Sequence, residues 1–365
     1  MTKPKVLHIV TALSWRGGEQ QVAYLLEGTK DSVQNFILCS KGSKMATYCE
    51  KQRFYNYKQP KKGGFDLAYA KRIKTLCSQK KIDLIHVHDA HAHTFSVLAA
   101  TLFGNKVAIV LSRRVDFPIK NNWFSRFKYN HKAIKKILCV SDTIKKITGK
   151  GIKDKNKLAT VYSGIDLTKF QPRNRQLRKE LGLSEETILI VNTSALADHK
   201  DYFTFLDVAE KVIEQKANVY FLIMGEGPME QEIKAYSKTK KLNKQLQFLG
   251  FRNDISNILA GTDVFLITSK TEGLGTSILD AFACKVPVIG TNGGGISELI
   301  EHEKTGLLCE VKNVSQITSA VNRIIENTTI KEHLVSNALK KVQLFSKEIT
   351  AQSTLKYYRE IRPLN

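Results

Sequence analysis

The sequence predicts an α/β protein built from two doubly wound parallel-sheet domains. Three observations carry this. The chain has 365 residues, 42% of them hydrophobic and 25% charged. That length favours two domains, and the composition excludes a disordered or collagen-like chain. Short β-branched runs alternate with amphipathic segments, the pattern of parallel strands covered by helices on both faces. The alternation then starts again after a polar stretch at 165–184, so it describes two units.

In the first half, apolar runs bounded by polar residues or glycine predict strands over 5–12, 35–40, 84–88, 106–111, 137–140 and 158–162. Apolar residues three and four apart predict helices over 19–27, 67–78 and 124–136. The opening run reaches Arg16-Gly17-Gly18 without a small-residue cleavage site and reads as a first strand, not a leader. Residues 165–184 contain Pro172, several basic residues and little periodicity, and read as a linker ending in a short helix. The second half predicts strands over 188–193, 219–224, 247–249, 264–268, 286–290 and 306–308. Residues 346–361 predict a closing helix, with Ile349, Tyr357, Tyr358 and Ile361 as its contacts. No run approaches ~18 consecutive apolar residues, so no membrane-crossing helix is expected. Two such domains place strand C-termini, helix N-termini and ligands in a cleft.

Charge divides the chain as sharply as periodicity does. The formal net charge is +23. Residues 1–175 hold 34 Lys and Arg against 11 Asp and Glu, whereas residues 176–365 hold 23 of each. The whole surplus belongs to the first half, which gives the halves different tasks. Nucleic acid and anionic membrane surfaces are the usual partners of such an excess. The six cysteines, at 39, 49, 77, 139, 284 and 309, form no C-x-x-C pair. Their scatter fits neither a zinc site nor a disulfide framework and points to a reducing cytosol.

Several chemistries are excluded by missing motifs. There is no G-x-x-x-x-G-K-[ST], no G-x-G-x-x-G after the first strand and no G-x-S-x-G. These absences argue against a Walker-type NTPase, a nicotinamide or flavin enzyme, and an α/β hydrolase. Two positive signals remain. After the first strand comes Trp15-Arg16-Gly17-Gly18-Glu19, where paired glycines at a helix start allow backbone amides to approach a phosphate. A tight strand-to-helix turn explains the same pair without a ligand. After the strand at 264–268 comes Glu272-Gly273-Leu274-Gly275-Thr276-Ser277, with Asp280 eight positions beyond Glu272. Glu272 then falls on a loop and Asp280 one to two turns into a helix whose first amides face a ligand. One acid suits sugar hydroxyls, the other a ribose diol, and the helix start a diphosphate. A helix capped by Thr276 or Ser277 is the alternative.

The segment from Glu272 to Ala281, with Val286-Pro287-Val288-Ile289 and Gly293-Gly294-Gly295-Ile296-Ser297-Glu298, resembles the nucleotide-sugar signature of the retaining glycosyltransferases of group 1, glycosyltransferase family four. Gly17-Gly18-Glu19, Val140-Ser141, Tyr162-Ser163-Gly164-Ile165-Asp166, Gly225-Glu226-Gly227-Pro228, Leu249-Gly250-Phe251 and Gly306-Leu307-Leu308 match in the family's order. The resemblance implies the GT-B fold, two Rossmann-like domains facing across a cleft. They would cover 1–168 on the acceptor side and 169–343 on the nucleotide-sugar side, with 344–365 a helix crossing back. It also implies sugar transfer with retention, no metal and no cofactor, the nucleotide-sugar being a substrate.

The match departs from the family at three places. Asp280 stands where the family has a second glutamate, and Ala195 where it has an arginine ahead of Lys200. Ser112-Arg113-Arg114 stands where many members place a histidine, so Arg113 or Arg114 is expected to supply positive charge instead, unless both are ordinary solvated arginines. Departure of a nucleoside diphosphate builds negative charge on its β-phosphate, which Lys200, the Gly17 and Gly18 amides and the helix start at 275–277 would stabilise. By carry-over Glu272, Lys200 and Arg113 form the catalytic set, with Glu272 positioning the sugar. Gly225, Gly273, Leu274, Gly275, Thr276, Ser277 and Asp280 join the donor set. Phe251 and Arg252 are expected against the base, or else as a packed aromatic and a solvated charge.

The histidines at 86, 88, 91 and 93 follow a strand, where alternation keeps them from converging, so a cleft role for His88 or His91 or helix-start polarity is expected before a metal site. Two basic-aromatic stretches account for the charge. Residues 51–62 are one; the other runs from Trp123 through Arg126 and Lys128 to Lys136. With Arg114, Trp123, Arg126 and Lys128 are expected on the acceptor or membrane side, as an interfacial helix on an anionic surface. The alternative is that Phe124, Phe127, Ile134 and Ile137 face the core. The resulting expectation is a cytoplasmic enzyme, peripheral on the inner face of the cell membrane. It would use a nucleotide-sugar donor and a lipid-linked or anionic glycan acceptor of bacterial lipopolysaccharide or surface-polysaccharide synthesis. No nucleic acid partner is expected. The rivals are a nucleic-acid-binding protein on the same scaffold, using the aromatics of 51–62, and a nucleotide-sugar epimerase.

Overall fold

The computed structural model describes residues 3–170, 176–240, 242 and 244–362; Pro172 of the expected linker lies outside them. The chain forms two compact units, one of Met1–Gly164 with Lys347–Asn365 and one of Ile165–Ser346, against expected divisions at 168 and 343.

In the first unit the elements follow in order: β1 (Lys5–Val10), α1 (Gly17–Thr29), β2 (Gln34–Ser40), α2 (Lys44–Lys51), β3 (Tyr55–Gln59), α3 (Leu67–Lys80), β4 (Leu84–Val87), α4 (Ala90–Leu102), β5 (Ala108–Arg113), α5 (Trp123–Asn130), β6 (Ile134–Cys139), α6 (Asp142–Gly149) and β7 (Leu158–Thr160). The sheet is parallel, with strand order β3-β2-β1-β4-β5-β6-β7. Short polar residues start its helices: Ser43, Asp66, Asp89, Asn122 and Ser141 each accept a first-turn amide.

The second unit runs α7 (Gln176–Glu180), β8 (Ile188–Thr193), α8 (Tyr202–Gln215), β9 (Val219–Met224), α9 (Glu230–Thr239), β10 (Leu246–Gly250), α10 (Ile255–Ala260), β11 (Val264–Ile267), α11 (Thr276–Ala283), β12 (Val288–Thr291), α12 (Ile296–Leu299), β13 (Leu307–Cys309), α13 (Val314–Glu326) and α14 (Thr328–Val342). Its parallel sheet has the order β10-β9-β8-β11-β12-β13. A core of Phe205, Phe221, Leu266 and Ile289 lies under α8 and α13. The last helix, α15 (Lys347–Ile361), belongs to the first unit. It packs on α1 so closely that a Cβ at Gly28 would stand 2.6 Å from that of Ala351.

Two expectations are corrected. The helix expected over 124–136 ends at Asn130, and β6 begins at Ile134. The ladder between β5 and β6 shifts register at Ile109/Val110, so Ile134 and Ile137 both turn inward at a spacing that also suits a helix. The basic-aromatic stretch at 51–62 contains an unforeseen edge strand, β3. There Tyr55 stacks on Phe36 at 5.3 Å and Tyr57 lies under Arg72 and Lys80 at 5.9 Å, so these rings are engaged within the unit.

Candidate functional site

In an open parallel sheet, ligands collect at the C-terminal ends of the strands, where the connections part to opposite sides. In the second unit that point lies between β8 and β11. The loop after β8 carries Lys200 and the loop after β11 carries Glu272. Thr268 ties the two loops by donating to the Lys200 and Asp201 carbonyls, at 3.3 and 3.0 Å. Across the gap the Lys200 ammonium donates to Glu272 Oε1 at 2.5 Å, and Ser269 Oγ donates to the same oxygen at 2.7 Å. Both side chains are largely buried. The pair is thus preformed, and a ligand phosphate would compete with Glu272 for Lys200.

The glycines of the signature are explained by close approach of backbone to backbone. A Cβ at Gly294 would stand 2.3 Å from the Glu272 carbonyl oxygen, and one at Gly295 2.5 Å from that of Gly273. The triplet Gly293–Gly295 therefore forms the wall against which the Glu272 loop is set. Gly225 has φ +140, and its Cβ would fall 2.0 Å from the Ser194 carbonyl oxygen, which packs the loop after β9 onto the loop after β8. Helix α11 starts at Gly275, φ +89, with no side-chain cap. Thr276 and Ser277 are its first residues, not its cap, so the cap alternative fails and the first turn lacks a side-chain acceptor. Asp280, one turn further, is pushed up to about 7 by burial, against the opposing charge of Lys169. Leu274 is buried beneath the loop, and Gly273 is half-buried.

The two residues expected at the base differ. Phe251 is 59% exposed and available to a ring. Arg252 is not: it pairs in a fork with Asp254, both bonds 2.8 Å, and with Glu180 at 2.6 Å. Its expected base contact is therefore corrected to an ion-pair role that holds the loop after β10.

In the first unit the sheet parts between β1 and β4. Gly17 and Gly18 open α1 there with φ below zero, and a Cβ on either would meet nothing within 4 Å. Neither turn geometry nor packing within the unit demands these glycines. Arg113 is corrected. Its guanidinium is buried, donating to Tyr129 Oη at 2.8 Å and to the Phe117 carbonyl, and it stacks on both rings. Lys128 is corrected too: it is buried, donates to Thr94 Oγ1 at 3.2 Å, and is pushed down to about 8 by burial and by Arg113. Trp123 and Arg126 are exposed, Trp123 to 78%. Phe124 meets Phe65 at 4.9 Å and Trp123 at 5.9 Å, so Trp123 and Phe65 form an exposed aromatic patch around it, while the exposed Phe127 packs edge-on against His131. Arg114 lies deeper, donating to the His88 carbonyl at 3.3 Å.

The histidines do converge, through a residue that the sequence pattern did not single out. His8 on β1 is in register with His86 on β4, and the ligand atoms of His8, His86 and His88 lie within 4.8 Å of one another. Five of the six ring nitrogens have protein partners. His8 bonds Asn35 and His88, each at 3.0 Å, while His86 bonds Tyr358 at 2.5 Å and Ser112 at 2.8 Å. Burial holds His8 down at about 4, and His86 and His88 well below their ordinary range, so all three are neutral. The rings form a hydrogen-bonded layer that ties β1 and β4 to Tyr358 of α15. His91 and His93 lie in α4, and His93 Nε2 donates to the Lys128 carbonyl at 3.2 Å.

Comparison with known proteins gives a consistent family. Residues 15–169 match the profile of Glycosyltransferase Family 4, and residues 173–341 that of Glycosyl transferases group 1. The chain is 28% identical over 309 residues to the N-acetyl-alpha-D-glucosaminyl L-malate synthase of Bacillus anthracis, covering 82% of this chain and 80% of that one. It is 28% identical over 270 residues to the UDP-Gal:alpha-D-GlcNAc-diphosphoundecaprenol alpha-1,3-galactosyltransferase of Escherichia coli, covering 70% and 69%. A glycosyltransferase of Rickettsia africae superposes over all of both chains with a TM-score of 0.87 at 21% identity. Anabaena HepE in complex with UDP-glucose superposes over 98% of this chain and 99% of that one, with a TM-score of 0.85 at 20% identity. Both likenesses are of fold.

Proposed function

The chain belongs to the group 1, family four glycosyltransferases, and we propose on that premise that it moves a sugar from a nucleotide-sugar donor to a lipid-linked or phosphate-bearing glycan acceptor. The observation that carries this reading is the preformed Lys200–Glu272 pair at the parting of β8 and β11. In the proposed reaction Lys200 turns from Glu272 to the donor's diphosphate. The uncapped first turn of α11 adds its dipole. As the glycosidic C–O bond breaks, the electron pair passes to the β-phosphate oxygen and these groups stabilise its charge. Glu272, released from Lys200, positions the sugar hydroxyls, and Asp280 takes the ribose diol. Among the described residues no side chain is evident as an enzymic nucleophile. The acceptor hydroxyl therefore attacks from the leaving group's face and gives its proton to the departing phosphate, with retention and without a metal in the route.

The acceptor class rests on the charge surplus of the first half and on the Escherichia coli relative, whose name states a diphosphoundecaprenol acceptor. The exposed Trp123, Phe127 and Phe65, beside Arg126 and Lys120, support docking on an anionic membrane surface, with surface-glycan assembly at its cytoplasmic face as the setting. Among the described residues no helix is long and apolar enough to cross a membrane. Thermal denaturation with UDP-, GDP- and ADP-sugars tests the donor. One class should raise the melting temperature, since a ligand at ~100 Kd adds about 2.7 kcal/mol. No response to any of them, or the same response in Lys200→Met, would overturn the reading.

A further inference from the structure

We infer that the first unit holds a small monatomic anion, of chloride size, in a narrow, partly open pocket at Arg114. The cavity is about 20 Å³, enough for one or two water-sized guests. Its polar walls are Arg114 and Ser112 at the end of β5, His86 of β4, Ser163, Thr350 and Thr354 of α15, and Gln21 of α1, whose amide is already bonded to Gly164; the other walls are aliphatic and none carries a carboxylate.

The reason is electrostatic. Among the described residues Arg114 has no carboxylate within 4.0 Å, and its one hydrogen bond goes to a backbone carbonyl. The nearest acids, Glu19 and Asp89, act on it only through space. Both are already engaged: Glu19 accepts the Arg16 amide, and Asp89 accepts from Thr11, His91 and Ala92. The imidazoles and the Tyr358 phenol beside the cavity are neutral, because burial lowers the former and raises the latter. Arg114 is half-buried, and a partly desolvated guanidinium with no carboxylate within reach is stabilised when an anion joins it.

The hydrogen bonds leave donors for such a guest. Ser163 has no side-chain partner among the described residues. When Tyr358 donates to His86 Nδ1, His86 Nε2 donates to Ser112, and the Ser112 proton is free to turn into the cavity. An anion selects this tautomer. Bound there, it joins α15 to the sheet through charge as well as packing.

Bromide serves as the probe. Crystals soaked in sodium bromide should show one anomalous peak in the cavity beside Arg114. In solution, the melting temperature should be roughly 2–4 °C higher in chloride than in gluconate at equal ionic strength. Arg114→Gln should abolish that difference and Ser163→Ala reduce it. Water density without an anomalous signal, or an undiminished chloride response in Arg114→Gln, would overturn the inference. If Arg114→Gln does not fold, the wild-type bromide peak and the Ser163→Ala response decide.

Discussion

Gly17 and Gly294 look alike in sequence and differ in what the fold asks of them. At Gly294, φ is +64 and a Cβ would meet the Glu272 carbonyl at 2.3 Å. Gly294→Ala should therefore destabilise the protein by about 2–4 kcal/mol, measured by urea unfolding. At Gly17 a Cβ meets nothing. Gly17→Ala should leave stability unchanged or raise it by up to about 1 kcal/mol, while turnover falls. Unchanged turnover would return Gly17 to a plain helix start. Asp280 adds a pH dependence. Its carboxyl is pushed up to about 7, so it is mostly protonated at pH 6 and mostly ionised at pH 8. Donor affinity by calorimetry should strengthen across that window, and in Asp280→Asn the dependence should flatten. Glu272 and Asp280 were legible in sequence because one loop and one helix hold both. The engagement of Arg113 by Tyr129 was not, since it depends on where α5 returns to β5.

Helix α5 separates the two readings of its aromatic run by face. Lys128 and Tyr129 turn inward, whereas Trp123, Arg126 and Phe127 turn out. Periodicity located the helix but not its end, because a bulged strand beginning Ile134-Lys135-Lys136-Ile137 carries the same three-residue spacing. Trp123→Ser should change stability by less than about 0.5 kcal/mol, as exposed positions do. Arg126→Ser should remove about 1 kcal/mol of attraction to anionic vesicles at low salt. Urea unfolding checks the first and flotation with phosphatidylglycerol vesicles the second, and wild-type protein that stays unbound would sink the membrane reading. The edge strand β3 escaped the sequence reading because its Tyr-Asn-Tyr-Lys-Gln stretch has weak alternation, its outer edge being unpaired.

At the scale of the molecule, doubly wound order was legible from strand and helix alternation in both units. The histidine layer was not, because His8 and His86 meet only through the pairing of β1 with β4. That layer makes a whole-molecule prediction. A histidine held neutral in the fold and free to protonate when unfolded stabilises fully above about 6.5, and the contribution is lost as pH falls. His8, held at about 4, alone accounts for roughly 3 kcal/mol between pH 6.5 and 4. Asp280, with its carboxyl pushed up to about 7, acts in the opposite direction over that range, so the comparison is made in Asp280→Asn: its urea midpoint should drop between pH 6.5 and 4, and a flat profile there would contradict the neutral layer.

The proposed donor site of the second half, built on Lys200 and Glu272, is tested most directly by one transfer experiment. Wild-type protein and Glu272→Gln are incubated with the stabilising nucleotide-sugar and a lipid-linked acceptor, and the product is followed by proton NMR. The wild type should yield a glycoside with the donor's own anomeric configuration, and Glu272→Gln, verified as folded, should be slower by roughly 100-fold or more. An inverted product, or undiminished turnover by Glu272→Gln, would contradict the account.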